Sequence, residues 1–294
     1  MLNVKKQIAD GRLVCPVTRQ RLVIEDNRLR SLDGRFVYPL IQGVPILVNP
    51  DRQTEYLSQL NGWMQREYSG HNNPGKPKSG FARFTSLGGD HRNPLANEAF
   101  QETVGTQPLE ALCLSVGGGP TRVHSNLVNL NIDLFPNVDV VGDVYALPYA
   151  DNAVDAIYCE AVIEHLEFPD KAVREMHRTL KPGSRLFSAT PFLQWFHGFP
   201  NHYQNFTLIG HQQLFLRAGF NLVSSGVCVG PVFALTELIT SGCDFLPYRW
   251  LRSGVKGGLR LFSAAIRPLD RRIMARNPNA HFLASTTYVQ AAKE

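Results

Sequence analysis

The stretch Leu114-Ser115-Val116-Gly117-Gly118-Gly119-Pro120 decides the fold, because an apolar run ends there in consecutive glycines. Two further apolar runs follow it and end in acids, as Asn131-Ile132-Asp133 and Val141-Gly142-Asp143. Glycine has no Cβ and tolerates positive φ, so a glycine turn lets the backbone approach a ligand closely. The pattern therefore predicts parallel strands that end at one edge of a sheet. A glycine turn and two carboxylates at such an edge are typical of a site for a nucleotide-like cofactor.

Apolar and amphipathic segments continue to alternate downstream and predict an α/β fold. We expect strands at 111–116, 129–133, 138–142, 155–159, 185–190, 220–228 and near 281–291, with helices at 169–180 and 208–218. Alternating strands and helices indicate a mainly parallel sheet, which binds ligands at the carboxyl ends of its strands. All the motifs named above fall at those ends.

Several of these segments, taken in order, resemble the class I S-adenosylmethionine-dependent methyltransferases. The resemblance covers roughly residues 108 to 228, and its motifs beyond the glycine turn are Ala146–Asn152, Asp155–Glu160, Val162–Leu166 and Glu175–Pro191. It implies a Rossmann-like, doubly wound, mainly parallel seven-stranded sheet. It also implies S-adenosylmethionine as the cofactor.

The resemblance further implies which residues would contact the cofactor. Gly117, Gly118 and Gly119 would form the turn under its methionine part, and Asp133 would hold the ribose hydroxyls. The remaining positions are Asp143 and the Val144 amide at the adenine, and Glu160 and Ala161 on the cofactor's other side, with His165 nearby. A simpler alternative stays open, since aspartates often cap turns and a histidine can serve structural hydrogen bonding.

Two departures from the family pattern bear on this site. Ser115 stands where the family usually has an acid, so a hydroxyl would have to replace one polar contact to the cofactor or to the turn. The stretch from Gly119 to Asp133 is shorter than the roughly 20 residues of a full helix and strand. We therefore expect a cut-down first crossover, with residues from outside the core covering the open flank.

The segment Pro191–Thr207, after the fifth predicted strand, is where a methyl acceptor would lie. It is rich in aromatic residues that can form a pocket wall. His197 or His202 could take a proton near neutral pH, and Tyr203 could orient an acceptor hydroxyl. The alternative is a packed aromatic loop whose histidines bond to the backbone, because buried polar groups usually have partners.

Length and composition fit one large domain with a small appendage. The chain has 294 residues and 44% hydrophobic content, enough for a full core. It has no apolar run near the roughly 18 residues of a membrane span, and its start lacks a secretion signal. The five cysteines are scattered, without a Cys-x-x-Cys pair. We therefore expect a cytoplasmic protein with no metal site.

Residues 1–50 predict a separate small β-rich unit, made of short strands punctuated by Asp-Gly and Pro. The Cys15-Pro16 opening and the Gly43-Val44-Pro45-Ile46-Leu47 ending resemble the zinc-ribbon-like domain of tRNA-methyltransferase activator proteins. Thr18 stands where a second cysteine would be, and no later pair exists. Four thiolates cannot be assembled here, so this unit is expected to be either a metal-free relic of that domain or a docking module held by its own small core.

Residues 51–107 are interpreted as a helix followed by a linker or lid. Helical spacing of apolar residues predicts a helix from Asp51 to Tyr68. Residues 69–94 are rich in Gly, Asn, Pro, Lys and Ser, which is typical of a linker. A lid bearing Phe81, Arg83 and Phe84 is the other possibility.

The main domain, 108–294, contains a basic helical insertion at about 231–276. Eight cationic residues gather there with apolar ones: Arg249, Arg252, Lys256, Arg260, Arg267, Arg271, Arg272 and Arg276. Such a surface could bind an anionic acceptor or the head groups of a membrane, whereas charge runs more often form a solvated face. We expect no nucleic acid partner, since no known nucleic-acid motif interleaves with these charges.

The sequence predicts a methyltransferase that uses S-adenosylmethionine and acts on a small-molecule or glycan/lipid-linked acceptor, at oxygen because a histidine base is on offer. One alternative is a non-catalytic cofactor- or partner-binding module on the same fold, which Ser115 and the short crossover favour. A nicotinamide-dependent oxidoreductase is disfavoured, because Gly117-Gly118-Gly119-Pro120-Thr121-Arg122 lacks the third spaced glycine of a dinucleotide fingerprint.

Overall fold

A computed structural model describes residues 4–49, 92–120, 122–134, 136–198 and 201–294. Its strands are β1 Leu22–Glu25, β2 Arg28–Ser31, β3 Val37–Ile41, β4 Val44–Leu47, β5 Cys113–Val116, β6 Leu127–Asn131, β7 Val140–Gly142, β8 Val154–Glu160, β9 Leu180–Pro191, β10 Asn221–Val229 and β11 Thr286–Ala292. Its helices are α1 Val4–Ala9, α2 Pro94–Phe100, α3 Pro169–Thr179, α4 Leu208–Arg217, α5 Pro231–Gly242, α6 Arg249–Ile266 and α7 Pro268–Arg276.

Within these described ranges, eleven strands form one sheet in the order β1-β2-β3-β4-β7-β6-β5-β8-β9-β11-β10. β5, β6, β7, β8 and β9 pair in parallel. β11 runs antiparallel between β9 and β10. The α/β class and the mainly parallel character of the main domain agree with the sequence prediction. The seven predicted strands correspond to β5 to β11, but the sheet itself is larger because four N-terminal strands extend it.

The connection from β5 to β6 contains no helix among its described residues, which omit position 121. A polar network organises it instead. The buried carboxylate of Asp139 accepts a hydrogen bond from the backbone amide of Asn129 at 2.8 Å. The same carboxylate forms an ion pair with Arg122 at 2.8 Å. Arg122 also donates to the carbonyls of Leu127 and Asn137. The short chain between the strands is thus held by charge-assisted hydrogen bonds rather than by helix packing.

The N-terminal residues join the main sheet through β4. Ile46 pairs with Val141 and Leu47 with Gly142 in parallel register. β7 is only three residues long, so without β4 it would be a short exposed edge. An apolar cluster on this flank combines residues from both parts of the chain: Val44, Ile46, Val48, Val138 and Val141. Residues 44–47, from outside the predicted main domain, therefore pair with the β7 edge of the sheet.

The main hydrophobic core also crosses the predicted domain boundary. It includes Leu13, Cys15 and Tyr38 from the first fifty residues together with Leu114 and Ile157 from the central strands. Cys15 is fully buried, and its sulfur lies 3.1 Å from the Tyr38 hydroxyl. The division at residue 50 remains a prediction, although the described residues on its two sides pack into one core.

The predicted basic insertion is helical and consists of α5, α6 and α7. Asp270 anchors it, since its carboxylate oxygens accept hydrogen bonds from the Val232 and Phe233 amides at 2.8 Å each. α6 has a single buried residue, Ser263, and presents Trp250 and Phe262 to solvent. In the described part of the chain, no helix combines the length and apolar character needed to cross a membrane. The predicted helix at 51–68 and the predicted lid lie outside the described residues.

His211 in α4 lies fully buried between β9 and β11, and this burial has a consequence for stability. Its ring nitrogens lie 3.1 Å from the hydroxyls of Thr287 and Ser188. Burial lowers the pKa of His211 to about 3, so the folded protein keeps this imidazole neutral. The unfolded chain binds a proton below an ordinary pKa of about 6.5. Stability supplied by the neutral ring is therefore lost as the pH falls from about 6.5 toward 3.

We expect urea unfolding to expose this effect. Between pH 7 and pH 5 the parent should lose about 2 kcal/mol more unfolding free energy than His211→Gln, because only the parent's unfolded state gains this proton. Both proteins share all other titrations, so the difference isolates His211. Identical pH dependence in the two proteins would show that the buried ring does not resist protonation.

Candidate cofactor and acceptor site

Strand register brings the predicted cofactor residues to one edge of the sheet. Val116 of β5 pairs with Leu130 of β6 and with Cys159 of β8. Asn131 pairs in turn with Val141 of β7. The residues that follow these positions therefore leave adjacent carboxyl ends. They are the glycine turn Gly117–Gly119, Asp133, Asp143 and Glu160 with Ala161.

The glycine turn requires glycine for two separate reasons. Gly117 and Gly119 adopt φ values of +70° and +60°, which side chains disfavour. A Cβ on Gly117 would also come within 2.4 Å of a Val162 methyl group. The Gly117 amide donates to the Leu130 carbonyl at 2.8 Å, which ties the turn to β6. Gly119 has open space where a Cβ would be, so a ligand can approach the backbone there.

Gly118 lies directly over two buried polar side chains. A Cβ at this position would lie 2.5 Å from Asn129 Oδ1 and 2.6 Å from Ser115 Oγ. Ser115 and Asn129 are neighbours in the β5–β6 register and are both buried. Asn129 donates through its Nδ2 to the Gly119 carbonyl at 2.9 Å, whereas its Oδ1 is buried without a hydrogen-bond partner.

The two aspartates differ in how they are held. Asp133 is half-buried just beyond β6, and its amide donates to Asn131 Oδ1 at 3.1 Å. Asp143 Oδ1 accepts a hydrogen bond from the Tyr145 amide at 2.8 Å and caps the turn Val144–Ala146. The alternative that the aspartates merely cap turns is therefore correct for Oδ1 of Asp143. It does not exclude a second role, because a carboxylate can accept several hydrogen bonds.

Glu160 is already engaged by protein groups. Its carboxylate receives hydrogen bonds from both Arg92, just before α2, and the Tyr158 hydroxyl. Through these hydrogen bonds Glu160 connects the end of β8 to the residues just before α2. Ala161 follows with φ at +53°, and its amide donates to the Ala189 carbonyl at 3.0 Å. The prediction that both residues line the cofactor stays a prediction.

The turn after β8 carries an unusual buried acid. Glu164 is fully buried, and its Oε2 accepts a hydrogen bond from the Thr190 hydroxyl at 3.1 Å. Its Oε1 has no hydrogen-bond partner. Burial raises the pKa of Glu164 to about 7. The backbone of the same residue accepts from the Tyr203 amide at 2.9 Å, so this acid holds the turn against the loop after β9.

His165 and His197 lie close to this acid and His202 lies beside both of them, and the nitrogens of the three rings are used differently. His165 Nδ1 lies 2.6 Å from the Asn201 carbonyl, and His197 Nδ1 lies 2.9 Å from the Trp195 carbonyl. His202 is engaged at both nitrogens, since Nδ1 accepts from the His197 amide and Nε2 lies 2.7 Å from Asn205 Oδ1. Burial lowers the pKa of His165. Of the two predicted bases, His197 is therefore the better placed to offer a nitrogen to an acceptor.

The predicted acceptor segment presents aromatic rings to solvent. Trp195, Phe196 and Tyr203 are 42%, 73% and 50% exposed. The Tyr203 hydroxyl accepts a hydrogen bond from Asn201 Nδ2 at 3.1 Å. The alternative for this loop was a packed aromatic segment whose histidines bond to the backbone. Its rings are exposed rather than packed, whereas His197 does bond to a backbone carbonyl. The exposed rings leave apolar surface available to a ligand beside His165 and His197.

Sequence reasoning missed three residues of this region. Asn129 is a polar residue inside an apolar strand, which could have marked it as unusual. Glu164 stands directly before His165, but nothing in the sequence indicates that it is fully buried. Arg92 is separated from Glu160 by 68 positions, so only the folded structure could pair them.

Part of the chain is similar to known proteins. Residues 120–188 match the family model described as a methyltransferase domain. The chain is 42% identical over 55 residues to the demethylmenaquinone methyltransferase of Renibacterium salmoninarum, covering 18% of this chain and 23% of that protein. It is 32% identical over 71 residues to the ubiquinone/menaquinone biosynthesis C-methyltransferase of Klebsiella pneumoniae, covering 22% of this chain and 28% of that protein. The chain thus spans less than a third of these relatives.

A similar solved structure is that of a putative sarcosine dimethylglycine methyltransferase from Galdieria sulphuraria. It is 15% identical and superposes with a TM-score of 0.44 over 82% of this chain and 99% of that chain.

The close contact over Gly118 generates a stability prediction. Gly118→Ala should lower the unfolding free energy by about 1–3 kcal/mol, the usual cost of overpacking, because Asn129 and Ser115 must shift. Gly254→Ala is the matched control, since a Cβ there meets nothing within 4 Å and sits inside a helix. The control should be neutral or stabilising. Urea unfolding measures both, and parental stability for Gly118→Ala would contradict the packing described here.

Proposed function

We propose that this protein is a methyltransferase that uses S-adenosylmethionine. The observation that carries the proposal is the convergence of the turn Gly117–Gly119, Asp133 and Asp143 at adjacent ends of β5, β6 and β7. The family match over residues 120–188 includes both aspartates. Both the strand order and the position of the turn suit a ligand that lies across the carboxyl ends of the sheet.

Each part of the proposed cofactor has a matching protein group. The turn backbone suits the methionine part, with Ser115 and Asn129 beneath the turn. Asp133 suits the ribose hydroxyls, and Asp143 with the Val144 amide suits the adenine. The bound cofactor supplies an activated methyl group on its sulfonium. The chain's own task is to align the acceptor with that methyl group and to exclude water.

The acceptor proposed is a small molecule or a glycan/lipid-linked molecule, methylated at oxygen. The exposed rings of Trp195, Phe196 and Tyr203 support an acceptor with apolar surface. An oxygen acceptor loses a proton during transfer, and His197 is the proposed base because its Nδ1 is bonded to a carbonyl, which leaves Nε2 for the acceptor. Tyr203 is proposed to orient the acceptor hydroxyl.

The lipid-linked form of this proposal includes contact with a membrane surface. α6 carries four cationic residues and no acidic one, and it exposes Trp250 and Phe262 by 74% and 58%. The neighbouring Phe245 is 91% exposed. Exposed aromatics beside cationic side chains suit the interface of an anionic bilayer, where rings enter the head-group region and Arg or Lys contacts phosphate. Lys256 is partly neutralised by Asp244 at 2.6 Å.

Calorimetric titration with S-adenosylhomocysteine tests the cofactor assignment. Asp133→Ala should weaken binding by at least about 1 kcal/mol, or roughly fivefold, because hydrogen bonds from the ribose to a charged acceptor are lost. Asp26→Ala serves as the control, since this exposed acid sits in the β1–β2 turn. Unchanged affinity in Asp133→Ala would remove this residue from the site. Preferential binding of a dinucleotide would contradict the assignment of S-adenosylmethionine as the cofactor and favour a dinucleotide instead.

Transfer of labelled methyl groups into a cell extract tests catalysis and the acceptor class together. His197→Ala should lower the transfer rate by about 100-fold or more, since a positioned general base typically contributes at least that much. His202→Ala should have a smaller effect, and both should leave S-adenosylhomocysteine affinity near that of the parent.

Four outcomes of that experiment decide between the alternatives. Label in the solvent-extractable lipid fraction supports a lipid-linked acceptor, whereas label confined to the water-soluble fraction excludes it. Parental rates in both histidine variants would show that neither is the base. Tight cofactor binding without incorporation into any fraction would favour the non-catalytic module.

A further inference from the structure

Three potential metal ligands converge on the acceptor side of the sheet edge. Glu164, His165 and His197 each bring one ligand atom, and all three atoms lie within 4.8 Å of one another. Across the described ranges this is the one group of at least three His, Cys, Asp or Glu side chains with such spacing. Glu164 and His165 belong to the turn after β8, and His197 belongs to the loop after β9. Two connections of the sheet therefore build the cluster together.

Backbone carbonyls fix the tautomers of both imidazoles. A carbonyl oxygen only accepts, so the contacts of His165 with Asn201 at 2.6 Å and of His197 with Trp195 at 2.9 Å place the proton on each Nδ1. The lone pair of each neutral ring then lies on Nε2. A ring N–H donated to a backbone carbonyl is the arrangement that orients metal-bound histidines in proteins.

The Glu164 carboxylate has an oxygen without a hydrogen-bond partner, which indicates that a positively charged group can bind beside it. Glu164 is fully buried, its Oε2 is held by Thr190, and its Oε1 has no hydrogen-bond partner. Oε1 lies 3.8 Å from His165 Nε2. Two lone pairs thus face each other across a short gap with no donor between them. Such a gap is unfavourable in a protein interior unless a cation or a proton fills it.

We propose that Glu164, His165 and His197 bind a divalent first-row transition-metal ion, for which zinc is the chemically matched probe. Zinc takes imidazole nitrogen and carboxylate oxygen at about 2.0–2.2 Å, so tetrahedral ligands stand about 3.4 Å apart. The 3.8 Å separation of Oε1 and Nε2 is close to this value. The two half-buried imidazoles leave the cluster open on one side. Three protein ligands then leave a fourth position for water or another ligand.

The cluster was not expected from the sequence, because the absence of paired cysteines suggested no metal site. Its ligands come from a Glu-His pair and from a histidine on a separate loop. His202 takes no part as a ligand, since both its nitrogens bond to protein groups. It instead positions the His197 backbone.

A functional role for the ion rests on the proposed methyl transfer. The open position would bind an acceptor oxygen and lower the pKa of its hydroxyl, as metal ions do for bound water, so that the proton passes to solvent water before the oxygen takes the methyl group. With the ion bound, His197 Nε2 would be a metal ligand, so the role of general base proposed above for His197 applies to the metal-free protein only. The position of the cluster suits this role, because Val162, which packs against Gly117, lies two residues before Glu164.

Calorimetric titration of the full chain with zinc chloride, after chelator treatment, tests the site directly. We expect one ion per chain. Glu164→Gln and His165→Asn should each weaken binding at least about tenfold, the scale found even for residues that only support a ligand. Glu164→Gln keeps the size of the side chain and can keep the Thr190 contact. His281→Asn is the control, because His281 belongs to no such cluster in the described residues.

Replacement of zinc by cobalt adds a structural readout, since a four-coordinate cobalt site absorbs visible light and hexa-aquo cobalt absorbs weakly. The parent should show this absorption and Glu164→Gln should lose it. Absence of stoichiometric zinc binding in the parent would overturn the site, as would equal affinity in all four proteins.

A titration with S-adenosylhomocysteine on the same samples separates the two proposals. Cofactor binding without zinc binding overturns the metal site alone, whereas zinc binding without cofactor binding overturns the proposed function alone. Unchanged cofactor affinity in Glu164→Gln also shows that the sheet edge remains folded.

Discussion

The register of the central parallel strands is the constraint on which the rest of this structure depends. β5 is hydrogen-bonded on one side to β6 and on the other to β8, so the residues leaving these strands must emerge together. The Gly117 amide extends this alignment beyond the strands by donating to Leu130. A shift of one residue would turn the strand side chains to the opposite faces and separate the turn from the acids.

An ion pair and hydrogen bonds stabilise the short connection between β5 and β6, where a helix would otherwise pack against the sheet. Arg122 and Asp139 form a pair in which the carboxylate is almost fully buried, and Asn129 joins it through its amide. Such a pair needs every partner, since a buried charge left alone is strongly destabilising. On the neighbouring flank β4 completes β7, so the N-terminal residues contribute to the main sheet rather than standing apart from it.

The acceptor side is built differently from the cofactor side. Strand ends and backbone groups form the cofactor edge, whereas side chains from two loops form the cluster at Glu164 and His165. The backbone of Glu164 holds the loop after β9 through the Tyr203 amide, and its side chain reaches Thr190 on β9. One buried acid therefore connects the turn after β8 with both the strand and the loop that follow it. The side chains of Glu164 and His165 thus lie near a loop that exposes the rings of Trp195 and Phe196.

The sequence by itself determined the α/β class, the order of the strands and helices after residue 108, and the short first crossover. These follow from hydrophobic periodicity and from glycines, which act through local backbone geometry. Only the tertiary structure decided that Asn129 lies under Gly118, that Arg92 meets Glu160, that β4 extends the sheet, and that Glu164 is buried among histidines. These contacts join residues far apart in the chain, and burial and hydrogen-bond partners are properties of packing that no local pattern encodes.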